Sequence, residues 1–300
     1  MRGFLFGLWQ IILVLMLAPL LDGIMRKLVA LVHSRIGPPI YQPYLDLLKL
    51  LGKEEMVSSP YRFFRYSAVL ALAAILTAAV LVPLGAVPPM ESSGDIIVFI
   101  YLVTLAAVMV VLSGITSDSP FSFIGASREV MLLLTVEPVI IVALVIMAVK
   151  AQSTQFSDIM LYQAQAPLSL SVLFAGGTLF VAIIAQMARL PFDIVEADQE
   201  IMEGPFIEQS GPKLALFKWM VYIKQLLFAA VFISVFLPWP VLSIYGWSLL
   251  AVLVKIVVLL LLIAVVHVVN PRLRIDQAVR FFLVLLVIEL AGLAFALVGS

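Results

Sequence analysis

The chain has 300 residues, of which 64% are apolar and only 12% are charged, with 18 basic and 18 acidic side chains. This composition excludes a water-soluble globular protein. The apolar residues fall in runs of about 20, the length of helix that crosses roughly 30 Å of hydrocarbon. Because these runs are too long for barrel strands and lack alternation, the sequence predicts an all-α integral membrane protein, with residues 1–300 forming a single membrane domain.

The first apolar run is too long for a signal peptide and lacks the small-residue cleavage pattern, so we interpret it as the first span. Eight spans are predicted, at residues 4–25, 66–84, 97–116, 130–149, 168–188, 219–238, 246–268 and 280–298. Fourteen of the eighteen lysine and arginine residues flank the connections that follow spans 1, 3, 5 and 7. These connections are therefore predicted to be cytoplasmic, and both termini are predicted to face outward (N-out, C-out).

Residues 26–65 are predicted to form a cytoplasmic basic turn followed by a short amphipathic helix. In the turn, RIGPP, the prolines restrict the backbone and Arg35 offers a planar cation for a partner carboxylate or a ligand head group. After Pro43, apolar side chains recur at helical spacing opposite charged ones. The helix is too short to cross the membrane, and two roles stay open: a surface anchor or a contact with other helices.

The connection after span 3 ends in a predicted helix start, capped by Ser127, with Glu129 in the first turn. At that position the helix dipole would stabilise the carboxylate of Glu129, and the residue has either this capping role or a functional one. Glu137 lies about two turns further into the apolar run, beside Pro138. Because an intramembrane carboxylate is costly unless it is paired, neutral or hydrated, we predict that Glu137 is functional.

Four more ionisable residues lie within or beside predicted spans. Lys224 lies one to two turns inside span 6, which is deep for a lysine that merely extends to the interface. Lys255 and Glu289 lie near the middle of spans 7 and 8 and are candidate partners. Asp22, near the inner end of span 1, is interpreted as an interfacial residue.

The connection 189–218 is a predicted cytoplasmic acidic loop, since it holds six of the eighteen carboxylates within sixteen residues. Glu196, Glu200 and Glu203 have i, i+4, i+7 spacing, so a helix would place them on one face. Like charges that close raise one another's pKa values, which suits proton relay. The alternative is a solvated loop that docks onto a basic partner, or onto Lys213 and the RIGPP turn.

The chain has no cysteine, and its two histidines, His33 and His267, lie on different segments. A disulfide and a thiolate-held iron–sulfur cluster are therefore excluded, and no metal or haem motif is present. We expect no cofactor on this chain. The different charges of the two membrane faces indicate membrane topology and do not indicate nucleic-acid binding.

Four segments carry a family resemblance: RIGPPIYQPYLDLLKLLGKE, SPFSFIGASREVMLLLTVEP, ARLPFDIVEADQEIMEGPFIEQSG and LFKWMVYIKQ. In this order, over about residues 19–280, they resemble the subunit shared by respiratory complex I (where it is called 1 or H) and membrane-bound nickel–iron hydrogenases. GASRE, VEP, EGPFIE and the KW…KQ pair are more similar to the hydrogenase branch, which includes formate hydrogenlyase. The quinone-using branch typically has a proline where this chain has Val195.

The resemblance implies a membrane anchor without a redox centre, located in the prokaryotic cell (inner) membrane. It would couple electron transfer in a hydrophilic arm to proton or sodium translocation. The implied partners are hydrogenase small and large subunits, a ferredoxin-like iron–sulfur subunit and antiporter-like membrane subunits within the lipid bilayer. The complex would contain iron–sulfur clusters and a nickel–iron site, held by the arm.

The resemblance also implies residue roles. The turn that contacts the arm, near the place where complex I admits quinone, is matched by Arg35, Gly37 and Pro38. The family's acidic loop is matched by Asp193, Glu196, Glu200, Glu203 and Glu208. Its polar path toward the antiporter-like subunits is matched by Glu129 and Glu137, and its span-6 lysine by Lys224. The chain departs from the pattern at Gln186, where relatives often have glutamate, and at Gln209, where tyrosine is usual.

Three alternatives remain at this point. The first is a complex I subunit that forms a quinone chamber. The second is a complex whose arm reduces sulfur compounds, which would look nearly the same in this subunit. The third is a free-standing secondary transporter with an ion site made of Glu137, Lys224 and Glu289, although the sequence shows no clear internal repeat.

Overall fold

The computed structural model describes residues 2–56, 59–85, 88–89, 95–166, 169–195, 198–240 and 245–298. Within these ranges the chain is almost entirely helical, as its composition predicts. The helices are α1 (Arg2–Val32), α2 (Gln42–Leu51), α3 (Arg62–Leu81), α4 (Ile96–Ile115), α5 (Pro120–Ala151), α6 (Phe156–Gln165), α7 (Leu170–Gln186), α8 (Asp198–Ile201), α9 (Gly211–Phe236), α10 (Tyr245–Val269) and α11 (Ile275–Val298), with a 3₁₀ turn at Gly204–Phe206.

All eight predicted spans correspond to apolar helices. Among the described residues, seven helices are long and apolar enough to cross a membrane: α1, α3, α4, α5, α9, α10 and α11. The fifth predicted span is α7, which has only 17 residues. At 1.5 Å per residue α7 is about 25 Å long, slightly less than the hydrocarbon core. The all-α membrane fold is thus confirmed.

The connections 33–61, 116–119, 187–210 and 270–274 lie at the same end of the bundle, which we call the loop face. Met56 N–H donates to Ser210 Oγ (2.8 Å), and Ser59 Oγ donates to Thr116 O (2.6 Å). Leu273 N–H donates to Pro191 O (3.0 Å). Because these contacts join all four connections, the loop face is a single interlinked surface.

Helix α2 confirms the predicted short amphipathic helix. It packs on α1 and α9, buries Leu47, and leaves Leu45 and Leu48 exposed. The Tyr44 hydroxyl donates to Met16 O in α1. Of the two roles left open, α2 therefore has the second, contact with other helices. These contacts attach the basic turn to the membrane bundle.

The predicted start of α5 was wrong. The helix begins at Pro120, after the N-cap Ser119, because proline at the first helical position needs no hydrogen-bond acceptor. Ser127 is inside the helix, and its hydroxyl donates back to Phe123 O (2.8 Å). Glu129 therefore lies nine residues beyond the first residue of α5 and does not complement a helix N-terminus.

One further helix, α6, was not predicted. It lies at the end of the bundle opposite the loop face, where Ile96 N–H donates to Thr154 O (3.0 Å) and Trp239 Nε1 donates to Ala164 O (3.0 Å). Its ten residues carry only part of an apolar face, so their pattern does not distinguish a helix from a connection.

The acidic loop is locked to α5 by two glycines. Gly204 has φ +53°, and a Cβ on Gly125 would lie 2.7 Å from Gly204 Cα and 2.7 Å from Pro205 Cδ. Ser122 Oγ also donates to Pro205 O (3.3 Å). The EGP segment therefore packs directly on the α5 backbone at Gly125, whereas Gly204 is required within the loop by its positive φ and by Val195 O, with which a Cβ would clash.

Replacing Gly125 with alanine should lower the free energy of unfolding by about 1–3 kcal/mol, because the added methyl group overpacks the contact with Gly204 and Pro205. The matched control is Gly177→Ala in α7, where a Cβ would meet nothing within 4 Å. The measurement is thermal unfolding of the two variants in the same detergent. Equal melting temperatures would show that the Gly125–Gly204 contact adds no stability.

Candidate functional site

Asp22 is the centre of a charged cluster in the C-terminal third of α1. Its side chain is 2% exposed and accepts from Arg26 Nε and from Arg189 Nη2, each at 2.7 Å. Arg26 also donates to the Tyr222 hydroxyl (2.9 Å) and approaches Asp46 of α2 at 3.4 Å. Two carboxylates thus face two guanidinium groups, which joins α1, α2, α9 and the start of the acidic loop.

A polar cavity of about 220 Å³, which we call cavity 1, opens beside this cluster. Its lining includes Asp22, Arg189, Glu203 and Lys218. Lys218 Nζ lies 3.5 Å from Glu203 Oε1, so the acidic loop supplies a paired carboxylate to the cavity wall. This volume gives room for several ordered waters in contact with ionisable groups.

Cavity 2 lies next along the bundle and has a volume of about 60 Å³. Glu129 of α5 and Lys224 of α9 both line it, and the two groups interact electrostatically. Ala188, Phe206 and Val221 line cavities 1 and 2 alike. The predicted carboxylate and the predicted lysine are therefore brought together, on the inner side of the acidic loop.

Cavity 3 is much smaller, at about 10 Å³, room for about one water. Glu137 of α5 lines it with Thr104 of α4, and Glu137 also interacts electrostatically with Lys224. Gln186, the last residue of α7, lines both cavity 2 and cavity 3. A neutral amide thus stands between the two glutamates, at the position where the resemblance led us to expect a carboxylate.

The three cavities form one series that we call the polar path, running from the loop face to the α4–α5 contact. Its ionisable members within the described residues are Asp22, Arg26, Glu129, Glu137, Arg189, Glu203, Lys218, Tyr222 and Lys224. Carboxylates, a lysine and amides spaced by small cavities are the groups that relay protons through short chains of water. The arrangement is therefore suited to proton movement.

The α9 segment LFKWMVYIKQ lines cavities 1 and 2 of the polar path. Lys218, Tyr222 and Gln225 line cavity 1, and Lys224 lines cavity 2. Trp219 Nε1 donates to Leu15 O of α1 (3.1 Å). That carbonyl is free because Pro19, four residues later within the helix, has no N–H. The proline in α1 therefore creates the acceptor that holds α9 in place.

Glu200 points away from the polar path. One carboxylate oxygen lies 3.0 Å from Arg128 Nη1, and the other lies 3.6 Å from Arg272 Nη1. The hydrogen bond from Arg128 and the nearby charge of Arg272 lower the pKa of Glu200 from its ordinary value. Glu200 thus ties the acidic loop to the α10–α11 connection.

The predicted helical face of Glu196, Glu200 and Glu203 is not formed. The helix α8 spans only Asp198–Ile201, and Met202 and Glu203 have positive φ values of 50° and 68°. This left-handed turn precedes Gly204 and points Glu200 and Glu203 toward different basic groups. Glu196 lies outside the described residues.

The remaining predicted site residues lie elsewhere on the loop face. Asp193 and Glu208 are half-buried, and neither lines the polar path. Gly37 has φ +67° and a Cβ there would lie 2.5 Å from Ala30 Cβ, so the turn folds back onto the end of α1. Arg35 is exposed and Pro38 is half-buried in this turn. The RIGPP turn is thus separate from the polar path.

Lys255 and Glu289 are not partners. Lys255 Nζ donates to Leu237 O, at the C-terminal end of α9 (2.8 Å). Glu289 is fully buried and pairs with Thr178 Oγ1 of α7 at 2.9 Å. Neither residue lines the polar path, so the three-residue transporter site made of Glu137, Lys224 and Glu289 is not assembled.

The sequence interpretation missed Asp22 and Arg189. The position of Asp22 near a span end predicts only an interfacial residue, and Arg189 enters the sequence analysis only through the charge count for topology. The signal that could have identified the cluster is the i, i+4 spacing of Asp22 and Arg26, which places both on one face of α1. Its partner Arg189 is 167 residues away, so no local pattern could supply it. Within the described residues, no group of three or more histidine, aspartate or glutamate side chains is placed to hold a metal ion.

The helical bundle with its buried polar path defines a class of protein: a multi-pass membrane subunit of a respiratory complex. Consistent with this class, the model of a family described as NADH dehydrogenase matches residues 6–297. The chain belongs to this family, whose members include a membrane subunit of NADH-quinone oxidoreductase.

Curated relatives match nearly the whole chain. Formate hydrogenlyase subunit 4 of Escherichia coli is 37% identical over 97% of this chain and 96% of that protein. Hydrogenase-4 component C of the same organism is 38% identical over 88% of this chain and 84% of its own length. The corresponding subunit of NADH-quinone oxidoreductase from Carboxydothermus hydrogenoformans is 30% identical over 85% of this chain and 77% of that protein.

A solved structure matches the fold. A chain of the membrane-bound sulfane sulfur reductase, an archaeal respiratory membrane complex, superposes with a TM-score of 0.91 at 28% identity. The match covers 99% of this chain and 100% of that one. The resemblance stated from the sequence motifs is thus confirmed at the level of the family.

Replacing Asp22 with asparagine should lower the free energy of unfolding by about 3 kcal/mol, because two guanidinium groups lose their buried counter-charge. The matched control is Asp46→Asn, which removes a half-exposed carboxylate 3.4 Å from the same Arg26 and should cost less than about 1 kcal/mol. Thermal and denaturant unfolding of both variants in detergent measures the difference. Similar losses in the two variants would contradict the central position given to Asp22.

The acidic loop should loosen at low pH. Because the pKa of Glu200 is lowered in the folded state, its contribution is present above the ordinary value of 4.5 and is lost as the pH falls through the lower folded value. A fluorophore on Met202→Cys, the only cysteine of that variant, should gain mobility in this acidic range, measured by anisotropy. The same probe in a Glu200→Gln background should be mobile throughout; an unchanged transition there would assign it to another group.

Proposed function

We propose that this chain is the membrane anchor and coupling subunit of an energy-converting nickel–iron hydrogenase, linking electron transfer in a hydrophilic arm to proton or sodium translocation. The observation that carries the proposal is the polar path, which starts at a carboxylate of the acidic loop and ends at Glu137 between α4 and α5. The similarity to two hydrogenase membrane subunits over most of their length supports the choice of electron-transfer chemistry.

Coupling by this route is electrostatic. At an effective dielectric constant of 20, a unit charge about 10 Å from a carboxylate changes its ionisation free energy by about 1.7 kcal/mol. This is slightly more than one pKa unit. Electron arrival at a cluster near the loop face would thus change the electrostatic potential at cavity 1, and rearrangement of protons and waters along the cavities would carry the change past Glu129 and Lys224 to Glu137.

The arm would dock on the loop face, which the distribution of lysine and arginine assigns to the cytoplasm. The RIGPP turn offers this surface an exposed cation, Arg35, and an exposed apolar side chain, Ile36, and Tyr41 at the start of α2 is exposed beside them. An interface of this kind combines apolar anchors with a guanidinium group. The turn would thereby bring the redox centres of the arm next to cavity 1, since α2 connects the turn to Asp46 and Arg26.

A quinone chamber is less well supported. Ligand cavities for apolar molecules commonly have volumes of 300–1,000 Å³ and mostly apolar linings. Cavity 1 has about 220 Å³ and is lined by paired charges. An arm that reduces sulfur compounds remains the second candidate, because the sulfane sulfur reductase chain superposes along the full length.

Replacing Glu137 with glutamine should abolish ion translocation while electron transfer from an artificial low-potential donor continues at more than about half its rate, because the carboxylate is the last proton site of the polar path. The complex would be assayed in inverted membrane vesicles, with a pH-sensitive dye and a sodium tracer for the ion and hydrogen evolution for the electrons. Ion movement at the unaltered rate in this variant would assign Glu137 a purely structural role.

The matched control is Glu289→Gln, since Glu289 is likewise a carboxyl group on a long apolar helix but lies outside the polar path. It should retain translocation. If both variants lost translocation and hydrogen evolution together, the losses would reflect misassembly, and size-exclusion chromatography of the complex would detect it. If purification from the native membrane gave sulfur reduction without nickel, the complex would belong to the second candidate.

A further inference from the structure

A basic recess lies on the loop face, away from the polar path. It has a volume of about 470 Å³ and is formed by α5, α8 and the α10–α11 connection. Its charged lining consists of Arg128, Glu200, Arg272, Arg274 and Asp276. Three guanidinium groups thus face two carboxylates, which leaves one net positive charge in a space large enough for an organic anion.

The recess is already organised around an oxyanion. Arg128 and Arg272 converge on the two oxygens of Glu200, at 3.0 and 3.6 Å. The same two arginines also approach Ile194 O, at 3.2 and 3.4 Å, which fixes their positions. Two guanidinium groups aimed at one carboxylate present the geometry that also recognises a phosphate.

Arg274 supplies the spare charge. Its side chain is exposed and forms no ion pair among the described residues, while its backbone N–H is held by Gln277 Oε1 (3.1 Å). The first residues of α11, Ile275 and Asp276, also line the recess, so the positive end of that helix faces it. Asp276 offsets part of this charge without pairing Arg274.

The surroundings of the recess are apolar and exposed. Helix α10 packs on α1 and α9, whereas α11 packs on α5 and α7, so the two helices flank the recess from different parts of the bundle. The last turn of α10 exposes Val265 and Val269, and the first turns of α11 expose Phe281 and Val284. These side chains lie on two helices that are long and apolar enough to span a membrane, near the connection that lines the recess.

We propose that this recess binds the phosphate headgroup of an anionic phospholipid, which competes with Glu200 for Arg128 and Arg272. The headgroup would contact Arg274 first and its acyl chains would lie along the exposed faces of α10 and α11. Basic pockets between membrane helices on the cytoplasmic side bind such headgroups in this way. Because Glu200 holds the acidic loop, occupancy of the recess would release that attachment.

The test is a titration of the purified, delipidated complex with short-chain phosphatidylglycerol, with phosphatidylcholine and inorganic phosphate as separate probes. Phosphatidylglycerol should bind more tightly than either. Arg274→Gln should weaken its binding about 5-fold, which corresponds to about 1 kcal/mol per basic residue. Glu200→Gln should strengthen it, because the competing carboxylate is removed.

The matched control is Arg65→Gln, an exposed arginine at the loop-face end of α3, far from the recess in sequence. It should leave the affinity unchanged. An equal loss of phosphatidylglycerol affinity in Arg65→Gln and Arg274→Gln would show that binding depends only on general surface charge and would overturn the proposed site. Equal binding of phosphatidylcholine would overturn the phosphate selectivity, and equal binding of inorganic phosphate would identify a free anion as the occupant.

Arg274 forms no ion pair with another described side chain, so Arg274→Gln should fold normally.

Glu200→Gln distinguishes competition between Glu200 and the phosphate from simple attraction of the phosphate to the arginines. If removing Glu200 weakened lipid binding, the carboxylate would be part of the site and the competitive exchange would be wrong. Binding in the free subunit that disappeared in the assembled complex would place a partner protein in the recess and overturn the lipid proposal.

Discussion

A carboxylate among membrane helices must be paired, hydrated or neutral, and this constraint determines where the helices of this bundle meet. Asp22 joins α1 to the start of the acidic loop, because its two oxygens bind Arg26 and Arg189, and Arg26 extends the contact to Tyr222 of α9. Glu129 faces Lys224 across a cavity, and Glu137 lies beside Thr104.

Proline and glycine make these encounters geometrically feasible. Pro19 leaves Leu15 O without an intrahelical donor, and the indole of Trp219 takes that place. Because Gly125 has no side chain, the EGP turn contacts the α5 backbone directly, in the space that a Cβ would occupy. In a soluble helix both residue types would mainly weaken the structure; inside a membrane neighbouring helices satisfy the backbone groups that they leave free. The polar path therefore depends on positions that carry no charge.

The sequence was informative where physical effects are local, and uninformative where they are long-range. Apolar runs predicted all eight spans, and periodicity predicted α2. The predicted helix face of Glu200 and Glu203 was wrong because α8 ends at Ile201, where Met202 and Glu203 adopt positive φ values. Lys255 and Glu289 were candidate partners by depth alone, yet α10 and α11 pack on different helices. The depth of a residue in the membrane can be read from its position along a span, whereas the helices that contact that span are determined only by tertiary packing.

The left-handed turn at Met202 and Glu203 supports the coupling role that we propose for the acidic loop. It directs Glu200 to the arginines of the α10–α11 side and Glu203 to Lys218 in cavity 1. Only two residues separate these carboxylates, so a change in the attachment of one alters the backbone that positions the other. A continuous helix would have placed both on one face, with one environment and one set of partners. The turn instead allows residues 200–203 to contact two separate basic regions, Arg128 with Arg272 and Lys218 in cavity 1. Through these contacts a charge change at the loop face would affect the polar path.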